Sequence, residues 1–406
     1  MKVKNLKTTF VNGRKRVSAE ILWEDATRPL EEIYFEVDER FADDLTCSAE
    51  GFVLATIFPA LYYGETRYSI EEEISPVFYQ GLKDVLGWYY HWFYQNRKPI
   101  QLEIKTKSKA DRRKEQGNSA CFFSGGIDSL ATLFDNRSIY PKEHPGYIND
   151  GVVAFGLEQD DPEKFEHFLT MLENLANKLN VNLIPVYTNV YLNYREEDSR
   201  NNWNFWTYEF QGAALSSIAH MLSNRLDFIS IASTYDLSTQ MPHGLHPLIS
   251  PNFSSENLQI RHDGVLYSRL EKVKLVAEHY PYPIELRVCN RYKQFKEGDL
   301  NCGKCNKCII TMLEFLVLGE LEKMETFPVN NVTADMIIKY AKIKDPNKAM
   351  FFSELIDPLK RIQRLDLAEA VEYKLQLYHN QNSKINTMLA RINHKIFNDK
   401  LRKKLP

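Results

Sequence analysis

The sequence predicts an α/β protein whose centre is a doubly wound parallel sheet. Three observations predict it: short apolar runs recur through the middle of the chain, amphipathic segments separate them, and a glycine corner follows the first run. Buried strands that alternate with helices are typical of a parallel sheet covered by helices on both faces. We expect this sheet to be accompanied by an N-terminal α+β domain, a short insert that contains four cysteines and a C-terminal helical region.

The central apolar runs are the predicted strands of that sheet. In chain order they are ACFFS, GVVAFGL, VNLIPVYT, LDFISIAST and IELRVCN. The segments EKFEHFLTMLENLANKLN and QGAALSSIAHMLSNR lie between them and have the apolar spacing of amphipathic helices. We therefore expect a central α/β domain over residues 118–288.

The flanking regions have different patterns. Residues 1–117 contain the strand-like VSAEILWED and EEIYFEVDE, the helix-like GFVLATIFPALYYG and SPVFYQGLKDVLGWYYHWFYQ, and most of a polar linker, KTKSKADRRKEQGNS. Residues 289–325 contain clustered cysteines, and residues 326–406 have helical patterns that end in the basic KLRKKLP. The sequence thus predicts four regions, with boundaries at 117/118, 288/289 and 325/326.

The overall charge does not indicate a protein whose whole surface binds nucleic acid or membranes. Among 406 residues, 51 Lys and Arg balance 54 Asp and Glu, for a net charge of -3. Such a balance gives no whole-molecule case for nucleic acid or membrane binding. The first residues, MKVKNLKTTFVNGRKR, contain no apolar core of a signal peptide, so we expect a cytoplasmic protein without a membrane partner.

The glycine corner is the strongest functional signal. In CFFSGGIDSLATLFD, an apolar strand meets Ser124-Gly125-Gly126, and a helical pattern begins immediately afterwards. Glycines allow close backbone approach, the helix start offers unpaired N–H groups, and the hydroxyls of Ser124 and Ser129 can donate hydrogen bonds. An ordinary strand-to-helix turn also favours glycine and serine, but the complete string favours a polyphosphate site.

The corner resembles the S-G-G-x-D-S signature of the PP-loop ATP pyrophosphatases, which cleave ATP between its α and β phosphates. The resemblance implies ATP and Mg²⁺ as cofactors and adenylation of an acceptor oxygen. It places Asp128 near the phosphates and Mg²⁺, and Ser129 among the catalytic residues. It implies that Ser124, Gly125, Gly126 and Ser129 hold the pyrophosphate half, and that Ile127 and Asp128 also belong to the cofactor-binding residues. The kinase-type P-loop is absent, since the nearest glycine spacing, Gly151 to Gly156, is followed by Leu157.

Four cysteines predict a metal site. Cys302, Cys305 and Cys308 are each separated by two residues, and Cys289 lies upstream. Four thiolates at this spacing can converge on one tetrahedral Zn²⁺. An iron–sulfur cluster is the alternative, but a ferredoxin-type run would place its fourth cysteine where this chain has Met312.

The cysteine pattern narrows the resemblance to the 7-cyano-7-deazaguanine synthases. The resemblance to this family covers about half of the chain and leaves both ends without a counterpart. The gap between Cys289 and the next cysteine is longer here than in that family. The resemblance implies an acceptor carboxylate similar to 7-carboxy-7-deazaguanine and a nitrogen nucleophile, with release of AMP and pyrophosphate. A protein or tRNA acceptor, a homodimer, and a role in a modification or anti-phage defence pathway are compatible with the extra regions.

A helix start downstream supports the same resemblance. In YSRLEKVKLVAEH, Ser268 and Glu271 stand in capping-box register. The segment is similar to the family's S-K-x-E, in which the basic residue reaches the nucleotide phosphates, so Arg269 would take that catalytic and binding role. A surface arginine on a capped helix is the alternative.

Weaker signals come from other segments. His243 and His246 lie in a Gly/Pro-rich loop after the fourth apolar run and could contact substrate or form structural hydrogen bonds. Phe155 and Gly156 end the second run, where they could line an adenine pocket or pack in the core. The aromatic runs WYYHWFY and WNFWTYEF favour core packing over base stacking. The basic tail could remain solvated or contact an acidic partner such as tRNA.

Two alternative functions remain open. A tRNA sulfurtransferase would use the same adenylation but needs redox-active cysteines, and only Cys47 and Cys121 remain outside the metal set. A non-catalytic ATP-binding zinc scaffold would need neither Asp128 nor Ser129, and both are present.

Overall fold

The structure is a computed structural model in which the chain forms two compact units, Met1–Ser268 and Arg269–Pro406. It describes residues 1–109, 117–157, 161–191, 194, 204–281, 283–289 and 300–381. The predicted basic tail, residues 290–299 and part of the predicted linker lie outside the described residues.

The first unit is built on one sheet. Within the described residues the sheet has ten strands: β1 (Lys2–Val11), β2 (Arg14–Leu22), β3 (Glu31–Asp38), β4 (Arg67–Ile70), β5 (Gln101–Glu103), β6 (Asn118–Phe122), β7 (Ile148–Phe155), β8 (Asn182–Thr188), β9 (Leu226–Ala232) and β10 (Gln259–Asp263). Their order across the sheet is β10-β9-β6-β7-β8-β3-β2-β1-β4-β5. Six of these nine pairings are parallel, which confirms the predicted α/β class with a mostly parallel sheet.

Helices connect and cover these strands. They are α1 (Ala49–Tyr63), α2 (Pro76–Trp92), α3 (Ile127–Ile139), α4 (Pro162–Lys178) and α5 (Gln211–Met221), the last preceded by a π-helical turn, Phe205–Phe210. Side chains at the N-caps fix several starts: Ser48 accepts a hydrogen bond from the Gly51 N–H, and Asp161 accepts one from the Lys164 N–H. The segments with a helical pattern therefore form helices where they were expected.

The strand order creates a topological switch point. From β6 the chain moves outward through β7 to β8 on one side, then crosses back to β9 and β10 on the other side. Connections that leave in opposite directions open a crevice at the carboxyl ends of the two central strands, which is where open α/β sheets bind ligands. The glycine corner follows β6 and therefore lies at this position.

The N-terminal segment continues the same sheet. Strand β3 pairs with β8 in antiparallel orientation, with Phe35 opposite Thr188. Gly81 of α2 lies so close to residues 250–253 that a Cβ atom there would be 1.9 Å from the carbonyl oxygen of Asn252. Strands from both sides of residue 117 thus share one sheet, and the boundary between the two compact units falls at 268/269 in the chain. That the four predicted regions fold as separate domains remains a prediction.

One predicted strand is wrong. IELRVCN, expected as the fifth strand, forms one isolated bridge between Ile284 and Met324 in its described part, and β10 occupies the fifth parallel position instead. The Asn301 side chain explains the difference, because it accepts hydrogen bonds from the backbone N–H groups of Val288 and Cys289 and donates to the Leu286 carbonyl. These bonds replace the ladder that a neighbouring strand would provide.

The second unit is helical. It contains α6 (Arg269–His279), α7 (Asn306–Val317), α8 (Ala334–Tyr340), α9 (Pro346–Ser353) and α10 (Ile356–Arg361), followed by helical residues 365–381. The predicted helix start at Arg269 is confirmed. None of the helices in the described part of the chain has the length and apolar character needed to cross a membrane.

Candidate functional site

The glycine corner has the predicted strand–turn–helix geometry. Strand β6 ends at Phe122, Gly125 adopts a positive φ of 69°, and Gly126 is the N-cap of α3 with no side-chain cap hydrogen bond. An uncapped helix start presents backbone N–H groups and the positive end of the helix dipole. The corner is therefore an electrostatically suitable place for an anion.

The two serines of the corner are differently exposed. Ser124 is exposed, whereas Ser129 is 4% exposed and donates a hydrogen bond to the Gly126 carbonyl at 3.0 Å. Their Oγ atoms lie 3.2 Å apart, and the Gly126 N–H reaches the Ser124 Oγ at 3.4 Å. Ser129 thus holds the shape of the turn, and the Ser124 hydroxyl is the one placed to contact a ligand from solvent.

Gly125 has a steric role as well as a conformational one. A Cβ atom at this position would lie 2.9 Å from Leu172 Cδ2 and 3.1 Å from Leu175 Cδ2 on α4. Its positive φ also disfavours any residue with a side chain. The corner is therefore closely supported from behind by the leucines of α4.

The end of β7 lies beside the corner, because β6 and β7 are neighbouring parallel strands. Phe155 packs against Phe165 and Tyr187, with ring centroids 5.0 and 6.0 Å apart. Gly156 has a φ of 91°, and a Cβ atom there would be 1.6 Å from the Thr188 carbonyl oxygen. Both residues have evident packing roles, and their contact with adenine stays a prediction.

The opposite wall of the switch point contains polar residues that belong to none of the predicted motifs. Ser230 Oγ donates to the Asp263 carboxylate at 2.6 Å, and the Ser233 N–H donates to the Asp263 carbonyl at 2.7 Å. Asp263 is the last residue of β10, so it lies at the carboxyl edge where ligands bind. A polar residue at the end of a strand was the available signal, but β10 itself was not predicted.

The two predicted histidines are buried and neutral. The Nδ1 atom of His243 accepts the Leu245 N–H at 3.0 Å, and that of His246 accepts the Leu248 N–H at 3.0 Å. Burial and the neighbouring His246 lower the pKa of His243 to about 4. With Nδ1 occupied as an acceptor, the proton of each neutral ring is on Nε2, which makes each ring a hydrogen-bond donor.

The buried state of His243 should make folding pH-dependent. Its pKa is about 4 in the folded protein against roughly 6.5 in the unfolded chain, so the unfolded state binds more protons between these values. Stability is therefore expected to fall as the pH drops from roughly 6.5 towards 4. Chemical unfolding at several pH values should show this slope, and His243→Asn, which keeps an acceptor for Leu245, should flatten it.

His144 provides the matched control for that measurement. It is exposed and makes the same type of bond, accepting the Gly146 N–H on Nδ1 at 2.9 Å. His144→Asn should leave the slope of stability against pH as in the parent protein. An equal flattening by both substitutions would contradict the assignment to His243.

In the second unit, Arg269 is held by helix α7. Its Nε lies 3.2 Å from Glu314 Oε1, and its Nη2 donates to Thr311 Oγ1 at 3.1 Å. Glu314 is 1% exposed, so the guanidinium compensates a buried negative charge. This ion pair gives Arg269 a structural partner, and its predicted contact with nucleotide phosphates stays a prediction.

The four cysteines of the second unit converge as predicted. The Sγ atoms of Cys289, Cys302, Cys305 and Cys308 all lie within 4.8 Å of one another. Three of the separations are 3.4, 3.6 and 3.9 Å. A disulfide requires about 2 Å, whereas a tetrahedral zinc site with Zn–S bonds of about 2.3 Å places its sulfurs about 3.8 Å apart. The cluster therefore has the dimensions of a metal site.

Local backbone geometry prepares the sulfurs for a cation. Cys302 Sγ accepts the N–H groups of Lys304 and Cys305 at 3.4 and 3.2 Å, and Cys305 Sγ accepts the Cys308 N–H at 3.4 Å. Gly303, with a φ of 63°, makes the tight turn between them. Such bonds favour the thiolate form of each sulfur.

Without a cation, the close contact of the sulfurs opposes their ionisation. Hydrogen bonding to Cys289, together with burial, raises the pKa of Cys305 to about 11. Contacts with Cys289 and Cys305, together with burial, raise the pKa of Cys308 as well. A bound divalent ion would remove this cost by displacing the protons. The four residues thus fit a metal.

Comparisons with protein-family models, curated proteins and solved structures give no match. A function for this protein must therefore be inferred from the geometry of the candidate sites themselves. In the first unit that geometry combines a glycine corner, a helix start and polar strand ends at a switch point, and in the second unit it is a four-cysteine cluster.

Proposed function

We propose that the protein is a PP-loop ATP pyrophosphatase that activates an acceptor carboxylate as its adenylate. The observation that carries the proposal is the position of the Ser124–Ser129 corner, an uncapped helix start at the switch point of a mostly parallel sheet. Polyphosphate is the ligand class that such a corner suits best.

The proposed reaction has two steps. A carboxylate oxygen of the acceptor attacks the α-phosphorus of ATP, the bond to the bridging oxygen of the β-phosphate breaks, and pyrophosphate leaves. A nitrogen nucleophile then attacks the activated carbonyl carbon, forms a C–N bond and expels AMP, while its proton passes to solvent. Negative charge grows on the leaving pyrophosphate in the first step, and positioned N–H donors stabilise it.

The residues of the corner have distinct proposed roles. The backbone N–H groups of Gly126 and Ile127 and the Ser124 hydroxyl bind the pyrophosphate half, while Ser129 keeps the turn in shape. Asp128, in the first turn of α3, holds Mg²⁺ beside the phosphates. When bound, Mg²⁺ neutralises phosphate charge during the displacement. Arg269 is proposed as a further cation for the nucleotide, as the resemblance implies.

The four-cysteine cluster is proposed to hold structural Zn²⁺. Four thiolates at these separations complete a tetrahedral shell and leave no open position for a reacting ligand. The ion would join the segment that contains Cys289 to the N-terminus of α7, where Cys305 is the N-cap. Its contribution is to folding, since structural zinc sites form only with the folded chain.

The acceptor is proposed to be similar to 7-carboxy-7-deazaguanine, either free or as part of a protein or tRNA. The neutral Nε2–H donors of His243 and His246 suit the carbonyl and carboxylate oxygens of such a molecule. A cytoplasmic modification or anti-phage defence pathway is the proposed setting, and a homodimer is compatible with it.

An assay with ATP labelled at the α-phosphorus tests the proposal. The protein is incubated with this ATP, Mg²⁺, 7-carboxy-7-deazaguanine and ammonia, and the products are separated. We expect labelled AMP above the amount formed by the Asp128→Ala variant. Labelled ADP would indicate γ-phosphate chemistry and would overturn the proposal, as would AMP formation equal in both proteins.

Thiolation of tRNA is the less favoured alternative. Burial raises the pKa of Cys121 to about 12, and burial together with Glu72 raises the pKa of Cys47. Neither thiol is therefore prepared to act as a nucleophile at neutral pH. A non-catalytic ATP-binding zinc scaffold would be favoured by calorimetry that shows ATP binding with no turnover for any acceptor.

A further inference from the structure

A polar cavity lies at the opposite end of the parallel strands from the glycine corner. Its volume is about 520 Å³, within the range of small-molecule sites. Asn224 and Asn257, which line it, precede β9 and β10, whereas Ser124 follows β6. Because β6, β9 and β10 are parallel, the cavity is at the amino edge of the sheet. It is separate from the proposed ATP site.

A buried carboxylate stands in the cavity wall. Glu50, in the first turn of α1, is 7% exposed, and its Oε1 accepts the Ser75 N–H at 2.8 Å while its Oε2 accepts the Ser48 hydroxyl at 2.9 Å. These bonds fix the position of the carboxylate. Each carboxylate oxygen has two lone pairs, so both retain capacity for a donor from a ligand.

A second acceptor lies in the same wall. His220 is 1% exposed, and its Nε2 lies 2.7 Å from the Phe253 carbonyl oxygen. Because a carbonyl can only accept, Nε2 carries a proton. Burial lowers the pKa of His220, although the Glu50 carboxylate and the bond to Phe253 act in the opposite direction, and the lowered pKa favours the neutral ring. Nδ1 of the neutral ring then has a lone pair and can accept a hydrogen bond from a ligand.

Positive groups lie in the same cavity. Lys107 Nζ is 3.9 Å from Glu50 Oε1, and Lys109 also lines the wall. Among the described residues that line the cavity, four are glutamates and two are lysines. The cavity therefore offers carboxylate acceptors for a cationic group and ammonium groups for an anionic one, so a ligand that carries only one sign of charge would satisfy only part of it.

We propose that this cavity binds a small zwitterion, an α-amino acid, whose ammonium group donates to Glu50 and His220 and whose carboxylate pairs with Lys107. A primary ammonium group has three donors and can engage both acceptors at once. Charge-assisted hydrogen bonds of this kind are the strong ones, and the buried wall reduces their screening by solvent.

Calorimetric titration of the full chain with each proteinogenic L-α-amino acid tests the proposal. We expect saturable binding of at least one of them at one site per chain. Its N-acetyl derivative lacks the ammonium group and should bind about tenfold more weakly or worse. The proposal is overturned if no amino acid binds, or if the N-acetyl derivative binds equally well.

Two variants assign the binding to the cavity. Glu50→Gln keeps the shape of the side chain but removes its charge, and Lys107→Met, at a half-buried position, removes the carboxylate partner with little risk to folding. Each should weaken binding about tenfold or more. Glu143→Gln, an exposed change of the same charge outside the lining, should leave the affinity unchanged. Binding to Lys107→Met with the affinity of the parent protein would overturn the proposal.

Discussion

Cys308→Ser is expected to weaken zinc binding by about 100-fold or more. A four-thiolate zinc site binds with about 10–16 kcal/mol in total, so one ligand accounts for about 3 kcal/mol. Cys308 is fully buried at the start of α7, and its Sγ atom lies 3.4 Å from the Sγ atom of Cys305. A solvent molecule therefore cannot readily take the place of the Cys308 sulfur as a ligand. The thermal unfolding of the second unit should move to lower temperature with the loss of the metal. Elemental analysis and calorimetry measure both effects.

Cys47→Ser is the matched control for this substitution. Cys47 is half-exposed, belongs to the first unit and lies outside the cluster. The control should retain one zinc ion per chain and the parent unfolding temperature of the second unit. Full zinc occupancy in Cys308→Ser, or none in the parent protein, would contradict a structural zinc site.

Asp128→Asn should change nucleotide binding in opposite directions with and without Mg²⁺. The side chain lies in the first turn of α3, beside the proposed phosphate site. If the carboxylate holds Mg²⁺, its removal should weaken binding of Mg²⁺·ATP about tenfold and reduce AMP formation about 100-fold or more. With EDTA present, the same change removes a negative charge near the phosphates, so ATP should bind as well as or better than in the parent protein.

Asp135→Asn, two turns further along α3, is the control. Asp135 accepts the Tyr267 hydroxyl at 2.6 Å, and asparagine retains an oxygen for this bond. This variant should bind Mg²⁺·ATP and form AMP as the parent does. Equal losses in both variants would indicate a general effect on α3, and weaker ATP binding by Asp128→Asn in EDTA would contradict a role in holding the metal.

Local patterns made part of the fold predictable. Strands β6 to β9 are short apolar runs between amphipathic helices, and the spacing of apolar residues is sufficient to predict both kinds of element. The strand–turn–helix corner and the convergence of the four cysteines also follow from spacing within short segments. These features were predicted correctly because the residues that determine them are close in sequence.

Distant pairings were not predictable in the same way. The junction of β3 with β8 joins segments that are far apart in the chain, and no local pattern specifies it. The apolar IELRVCN has strand character, but the Asn301 side chain takes its backbone hydrogen bonds, while the more polar QIRHD pairs with β9 at the sheet edge. Tertiary context decided between these two candidates. The amino-edge cavity likewise combines several segments that are widely separated in sequence.

The most direct test of ATP binding at the glycine corner is a crystal structure with Mg²⁺ and α,β-methylene-ATP, an analogue whose α–β link cannot be cleaved. We predict that its β-phosphate oxygens lie about 3 Å from the backbone nitrogens of Gly126 and Ile127, with Mg²⁺ contacting Asp128. An analogue bound elsewhere on the protein, or a corner that stays empty at saturating concentration, would contradict it.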